Sequence, residues 1–213
     1  MFTEATREEI TITRRFFDKW GAFDFIRNMY LIVEKEEVRK IKSCFLFYPD
    51  YLQNKENKEN DRMRSSKRKI DYRTIKIVYV LDRLEKKLAF NKMPYTIGLL
   101  VGYINKRRQF MPSLQGADLI ARFSNDFPFV IVNQIAEKVV LYGRSIFGQS
   151  ILAASDKLDE NELVIILNAN KEPIGIGRTR FNRKNLLKEG KVTVTTLIDA
   201  GCYLRNETNN SKI

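Results

Sequence analysis

The stretch Leu163-Val164-Ile165-Ile166-Leu167, Asn168-Ala169-Asn170-Lys171, Pro173-Ile174-Gly175-Ile176-Gly177-Arg178 decides the fold. Its first five residues are all apolar, which marks a short strand buried on both sides. The Asn-Ala-Asn-Lys step has turn composition. The run from Pro173 to Arg178 then returns as the hairpin partner. Working outward, Phe129–Val132 and Lys138–Tyr142 read as strands, and Ile146-Phe147-Gly148 leads into a short apolar segment, Gln149–Ala154. Lys191–Ile198 and Cys202–Arg205 complete the set. Several short strands with few helices predict a small barrel.

The first half has another texture. Thr6 and Glu9 form a capping-box pattern that opens a helix running to Trp20, with Ile10, Phe16, Phe17 and Trp20 on one face and Gly21 as its stop. Tyr30–Val33, Ser43–Tyr48 and Thr74–Val80 read as strands, the last by its alternation. Asp82 is placed to cap a helix that Pro94 brings to an end. Tyr95–Ile104 reads as a glycine-interrupted strand with Lys106-Arg107-Arg108 at its exposed end. Pro112 is placed to open a helix that buries Leu114, Ala117, Leu119, Ile120 and Phe123. The shift in texture near 127–134 predicts two domains, 1–128 and 129–213. A loop over 53–72 interrupts the first. Its Lys55–Lys69 portion carries seven basic residues, three acids and one apolar residue, Met63, so it has little to bury. It reads either as a basic arm on phosphates or as a solvated insertion.

Composition narrows the function. Of the 213 residues 44% are hydrophobic and 30% charged, enough apolar material for a core and too much for wholesale disorder. No run reaches the roughly 18 apolar residues of a membrane span. Met1–Arg7 has no apolar signal region, so a signal peptide is not expected. The two cysteines, Cys44 and Cys202, are too few for a disulfide framework, and a reduced setting is expected. The chain has no histidine, which removes Ser-His-Asp and Cys-His pairs. There is no phosphate-loop motif, and Gly175-Ile176-Gly177 lacks the third glycine of a dinucleotide loop. Catalysis, a cofactor, a metal, a membrane and a small-molecule substrate are all not expected.

Charge points to a partner. With 38 Lys and Arg against 26 Asp and Glu the net charge is +12, which favours a polyanion. In the second half the charge is concentrated. Residues 178–191 hold Arg178, Arg180, Arg183, Lys184, Lys188 and Lys191 against one acid, Glu189, a local net of +5. Arg178 and Arg180 have the spacing of one strand face. Arginine forks match phosphate oxygens and lysines add point charges, so these six are the candidate RNA contacts. The plain alternative is a solvated charged loop. Phe181 is a candidate for stacking on an unpaired base, or else part of the barrel rim. Gly148 is a further candidate if a helix follows it, because free N–H groups there would receive a phosphate; otherwise it serves a tight turn.

Taken in order, Val139-Val140-Leu141-Tyr142-Gly143, Ile146-Phe147-Gly148 with Ile151-Leu152, Pro173-Ile174-Gly175-Ile176-Gly177 and Asp199-Ala200-Gly201-Cys202-Tyr203-Leu204-Arg205 resemble a PUA domain. They resemble in particular that of the Nip-seven family of large-subunit ribosome-biogenesis factors. Pro94-Tyr95-Thr96-Ile97-Gly98 with Val101-Gly102, and Phe110–Ile120, resemble a strand and helix of that family's pre-PUA domain. The resemblance implies an α+β fold: an N-terminal antiparallel sheet with helices, followed by a C-terminal β-pseudobarrel. It implies non-enzymatic binding of single-stranded, often uridine-rich RNA in pre-rRNA processing and large-subunit assembly, together with assembly or RNA-processing proteins. It implies a cytoplasmic setting in an archaeon, or a nucleolar or nuclear one in a eukaryote. The sequence departs from archaeal relatives where Val192, Thr195 and Ile198 stand at positions expected to be basic. The competing reading is a protein-interaction adaptor in an RNA-processing complex with weak RNA affinity of its own.

Overall fold

The computed structural model describes residues 2–27, 29–37, 74–81, 98–105 and 107–202. Within these the fold is α+β and builds on two sheets. The first is five-stranded and antiparallel throughout, in the order β1 (Phe2–Glu4), β2 (Tyr30–Glu37), β3 (Thr74–Leu81), β4 (Leu99–Ile104), β5 (Phe110–Pro112). Helices α1 (Arg7–Lys19) and α2 (Phe23–Arg27) follow β1, and α3 (Leu114–Phe123) follows β5.

The capping box of α1 forms as the sequence predicts. The Glu9 N–H donates to Thr6 Oγ1 and the Thr6 N–H donates to the Glu9 carboxylate. The start of α3 differs from expectation by two residues. Pro112 closes β5, and Ser113 is the cap, its hydroxyl oxygen accepting from the Gly116 N–H. Ala117 and Ile120 are buried as predicted, but Phe123 is 59% exposed.

The second sheet runs β7 (Ile146–Phe147), β11 (Val192–Asp199), β10 (Pro173–Thr179), β9 (Leu163–Leu167), β6 (Phe129–Val132), β8 (Ile151–Ala154). Of the pairs in this sheet, β6–β9 is parallel and the others are antiparallel. Its two edge strands, β7 and β8, are consecutive in the chain and joined by a single 3-10 turn, Gly148–Ser150, so the sheet curls into a nearly closed barrel.

The expected strand over Lys138–Tyr142 is instead helix α4 (Gln134–Leu141). Val139-Val140 has strand-like composition, but Asn133 caps the segment by accepting from the Ala136 N–H, and Ala136 and Val140 bury at the four-residue spacing of a helix. The strand expected over Cys202–Arg205 is also corrected at its first residue: Cys202 is buried and helical, and 203–205 lie outside the described residues. So do the expected strand at 43–48, the basic loop at 53–72 and the helix after Asp82.

Strand β9 shows why five apolar residues stand in a row. Val164 and Ile166 face the barrel interior with Val130, Val132 and Val194. Ile165 and Leu167 face the other way, into a cluster with Phe17, Val101, Phe110 and Ile120 of the first half. Two bulges tune this arrangement. Pro173 pairs with Leu167 and Gly175 with Ile166, so Ile174 is the extra residue. It turns into the barrel while Ile176 turns to the other cluster. In β11 the extra residue is Leu197, since Ile176 pairs with Ile198 and Gly177 with Thr196. Helix α3 lies between the sheets, packed on β4 and on β10. Gly116 permits this: a Cβ there would collide with the Val101 carbonyl oxygen.

Candidate functional site

The basic segment 178–191 crosses one end of the six-stranded sheet. Arg178 lies in β10 opposite Thr195 of β11 and Leu163 of β9. Arg180 follows β10 directly, with its N–H on the Thr193 carbonyl. Lys191 precedes β11, and its carbonyl accepts from the Gly148 N–H at 3.0 Å. Arg178 and Arg180 therefore stand two positions apart along β10 and its exit, and Lys191 stands at the entry of the neighbouring strand β11.

The two arginines share an end of the sheet, but their guanidinium groups diverge. Arg178 Nη1 donates to the Asn161 carbonyl at 2.9 Å, on the β9 side. Arg180 Nε donates to Thr195 Oγ1 at 2.8 Å, on the β11 side. Each fork is anchored by one bond to an uncharged acceptor, which leaves its full charge available to a ligand. Arg183 and Lys184 lie in a 3-10 turn, Arg183–Asn185, held by the Arg183 N–H on the Leu158 carbonyl. Lys184, Lys188 and Lys191 are exposed. None of the six cations forms an ion pair among the described residues. Phe181 is half-buried.

Gly148 takes a different part from the conditional phosphate site. It begins a three-residue 3-10 turn that passes into β8, and its N–H is committed to Lys191. A Cβ at this position would collide with the Lys188 carbonyl oxygen. Gly148 thus seats the basic turn against the barrel edge, the tight-turn role the sequence also allowed.

Sequence reasoning gave Phe147 no part in the interface. It is 44% exposed on the edge strand, paired with Val192 and next to the Gly148 contact with Lys188 and Lys191. Leu187, 43% exposed, lies in the same turn region. The signal was available: the two-residue strand ends on an aromatic between Ile146, which points inward, and glycine. Among the described residues no group of three His, Cys, Asp or Glu is arranged to hold a metal ion, and no helix is long and apolar enough to cross a membrane.

Comparison with known proteins sets this geometry in context. The chain is 28% identical over 208 residues to a UPF0113 protein of Archaeoglobus fulgidus, covering 97% of this chain and 95% of that one. Its fold is similar to the crystal structure of a hypothetical protein from the hyperthermophilic archaeon Pyrococcus horikoshii OT3. There the TM-score is 0.59 at 11% identity, covering 94% of this chain and 95% of that one. The stretch that contains the whole six-stranded sheet and its basic segment, residues 129–208, matches the UPF0113 PUA domain family.

Proposed function

We propose that the protein is a non-enzymatic RNA-binding factor. It holds single-stranded, uridine-rich RNA across the end of the PUA-matching sheet and serves pre-rRNA processing and large-subunit assembly, in the cytoplasm of an archaeal cell. One observation carries the RNA part: six cations within fourteen residues, on one end of one sheet, have no acidic partner among the described residues. A structural salt network would neutralise them, whereas a phosphate chain does so on binding and releases counterions. Exposed Phe147 beside Lys188 and Lys191 supplies a face on which an unpaired base can stack. The ribosomal assignment rests on the resemblance of the ordered motifs from Val139 to Arg205. The absence of histidine supports binding rather than catalysis.

The test is fluorescence anisotropy of a uridine-rich oligonucleotide with the full chain over a salt series. Arg178→Glu with Arg180→Glu should weaken binding at least about tenfold and lower the salt slope by roughly 0.7 for each phosphate no longer neutralised. An unchanged slope moves the interface elsewhere. No binding even at low salt removes the RNA reading. Exposed Ile135 and Tyr142, one at each end of α4 at 76% and 72%, favour the second reading, a protein adaptor. Under that reading, capture of an assembly protein would depend on these two residues and not on the arginines.

A further inference from the structure

A cavity of about 290 Å³ opens where α1, the β4–β5 turn and the ends of β9 and β10 meet. Its floor is aromatic: Phe16 lies 4.6 Å from Trp20 and 4.9 Å from Phe110, ring centre to ring centre. Its rim is polar and cationic, with Gln109, Arg178 and Lys19. Lys19 reaches Glu162 at 3.5 Å and neutralises the one acid of the lining. Small-ligand sites begin at about this size, with apolar walls and a few placed polar groups.

The amide orientations follow from the backbone. The Gln109 N–H can only donate, and it bonds Asn105 Oδ1 at 3.0 Å. The Asn105 amide nitrogen is thereby turned to Gln109 Oε1, at 3.2 Å. That leaves the Gln109 side-chain NH₂ without a partner among the described residues, as a donor at the mouth of the cavity. An aromatic floor, an N–H donor with no protein partner among the described residues and an arginine fork match a flat ring with carbonyl acceptors joined to a phosphate. Uracil offers two such carbonyls and adenine none.

We propose that this cleft is a nucleobase pocket that takes one keto base, uracil before adenine, from the bound strand. The base lies on Phe16, accepts from the Gln109 amide and sets its phosphate near Arg178. This deepens the RNA reading and rests on it. Arg178 is common to both, since it belongs to the basic segment and lines the cleft.

Trp20, the single tryptophan of the chain, lines the cleft and reports on it. Uridine 5′-monophosphate should quench Trp20 emission saturably, and adenosine 5′-monophosphate should do so at several-fold higher concentration. Gln109→Ala, an exposed position whose fold is checked by circular dichroism, should weaken the uridine response about five- to tenfold. Arg178→Gln, removing the phosphate partner, should weaken both nucleotides. If neither nucleotide perturbs Trp20, or Gln109→Ala responds like the parent, the pocket is overturned. Oligonucleotide binding that still depends on Arg180 and Lys191 then leaves the RNA reading standing. Quenching by an aromatic peptide and not by nucleotides assigns the cleft to a protein and also overturns it. Nucleotide quenching without any oligonucleotide binding removes the RNA reading and overturns the proposal with it, since the base would then not come from a bound strand.

Discussion

The interior of the six-stranded sheet and the seam between the two sheets share strands and aliphatic residues but differ in where the aromatic rings go. The apolar cluster of the interior holds no aromatic ring, running from Val130 and Ala136 through Ile146, Val164 and Ile166 to Leu186 and Val194. The seam collects the aromatics: Phe17, Trp20 and Phe110 at its centre, with Phe16, Phe25, Phe127 and Phe129 against them. A small curled barrel leaves room for β-branched and γ-branched side chains that interdigitate closely. Two curved layers meeting at a seam leave wider gaps, which large flat rings fill at lower entropy cost per unit area. The filling is incomplete at one edge, and the cavity beside Phe16 lies there. Closed packing and an open cleft thus arise from the same strands, according to which face is presented.

Strand β9 allows this contrast to be broken most directly, because adjacent residues serve the two sides. Ile166 is fully buried in the interior and Ile165 fully buried in the seam. Ile→Ala at either position should cost about 2–5 kcal/mol of unfolding free energy. Urea denaturation of each variant should show one transition, since the seam cluster joins both sheets in one apolar body. If Ile165→Ala costs less than about 1 kcal/mol, or splits the transition in two, the sheets are separately stable and the seam is a docking contact.

A somewhat smaller effect is expected from Gly116, where α3 lies on β4. Gly116→Ala forces a methyl group toward the Val101 carbonyl, which belongs to backbone and yields only if the helix lifts. The expected destabilisation is about 1–3 kcal/mol, the range for overpacking, and it outweighs the usual helix gain of alanine over glycine. The thermal midpoint should fall. A rise would mean that α3 moves freely against β4 and that the seam tolerates expansion.

Much of this was legible in the sequence, for physical reasons that differ by region. The hairpin of β9 and β10 was clear because doubly buried strands need unbroken apolar runs, and its turn residues are polar. The capping box of α1 was clear because it is local. Helix α4 was not, since Val139 and Val140 carry strand propensity and only tertiary burial of Ala136 and Val140 reverses it. The six basic residues were found as a sequence cluster, but which residues of β9 and β11 stand opposite Arg178 depends on register. No local pattern encodes that register, and the bulges at Ile174 and Leu197 set it. The cavity was invisible for the same reason. It joins Phe16, Gln109 and Arg178 from three distant segments.

The smallest stability effect sharpens the comparison where apolar seam and charged rim meet. Lys19 at the end of α1 and Glu162 just before β9 lie 3.5 Å apart, with the lysine side chain 69% exposed and the glutamate 19%. Water and salt screen such a pair, and the long lysine chain gives up rotamer freedom to hold it. Glu162 also keeps a second partner, because its Oε2 accepts from the Asp159 N–H at 3.0 Å. Lys19→Gln should therefore change unfolding free energy by less than about 0.5 kcal/mol. Uridine monophosphate binding should nonetheless weaken a few-fold at low salt and little at high salt, because the cleft is left without that cation and Glu162 without its neutraliser. If stability falls by more than about 1 kcal/mol, charge rather than aromatic packing holds the two sheets together, and the division between closed interior and open seam would need a different cause.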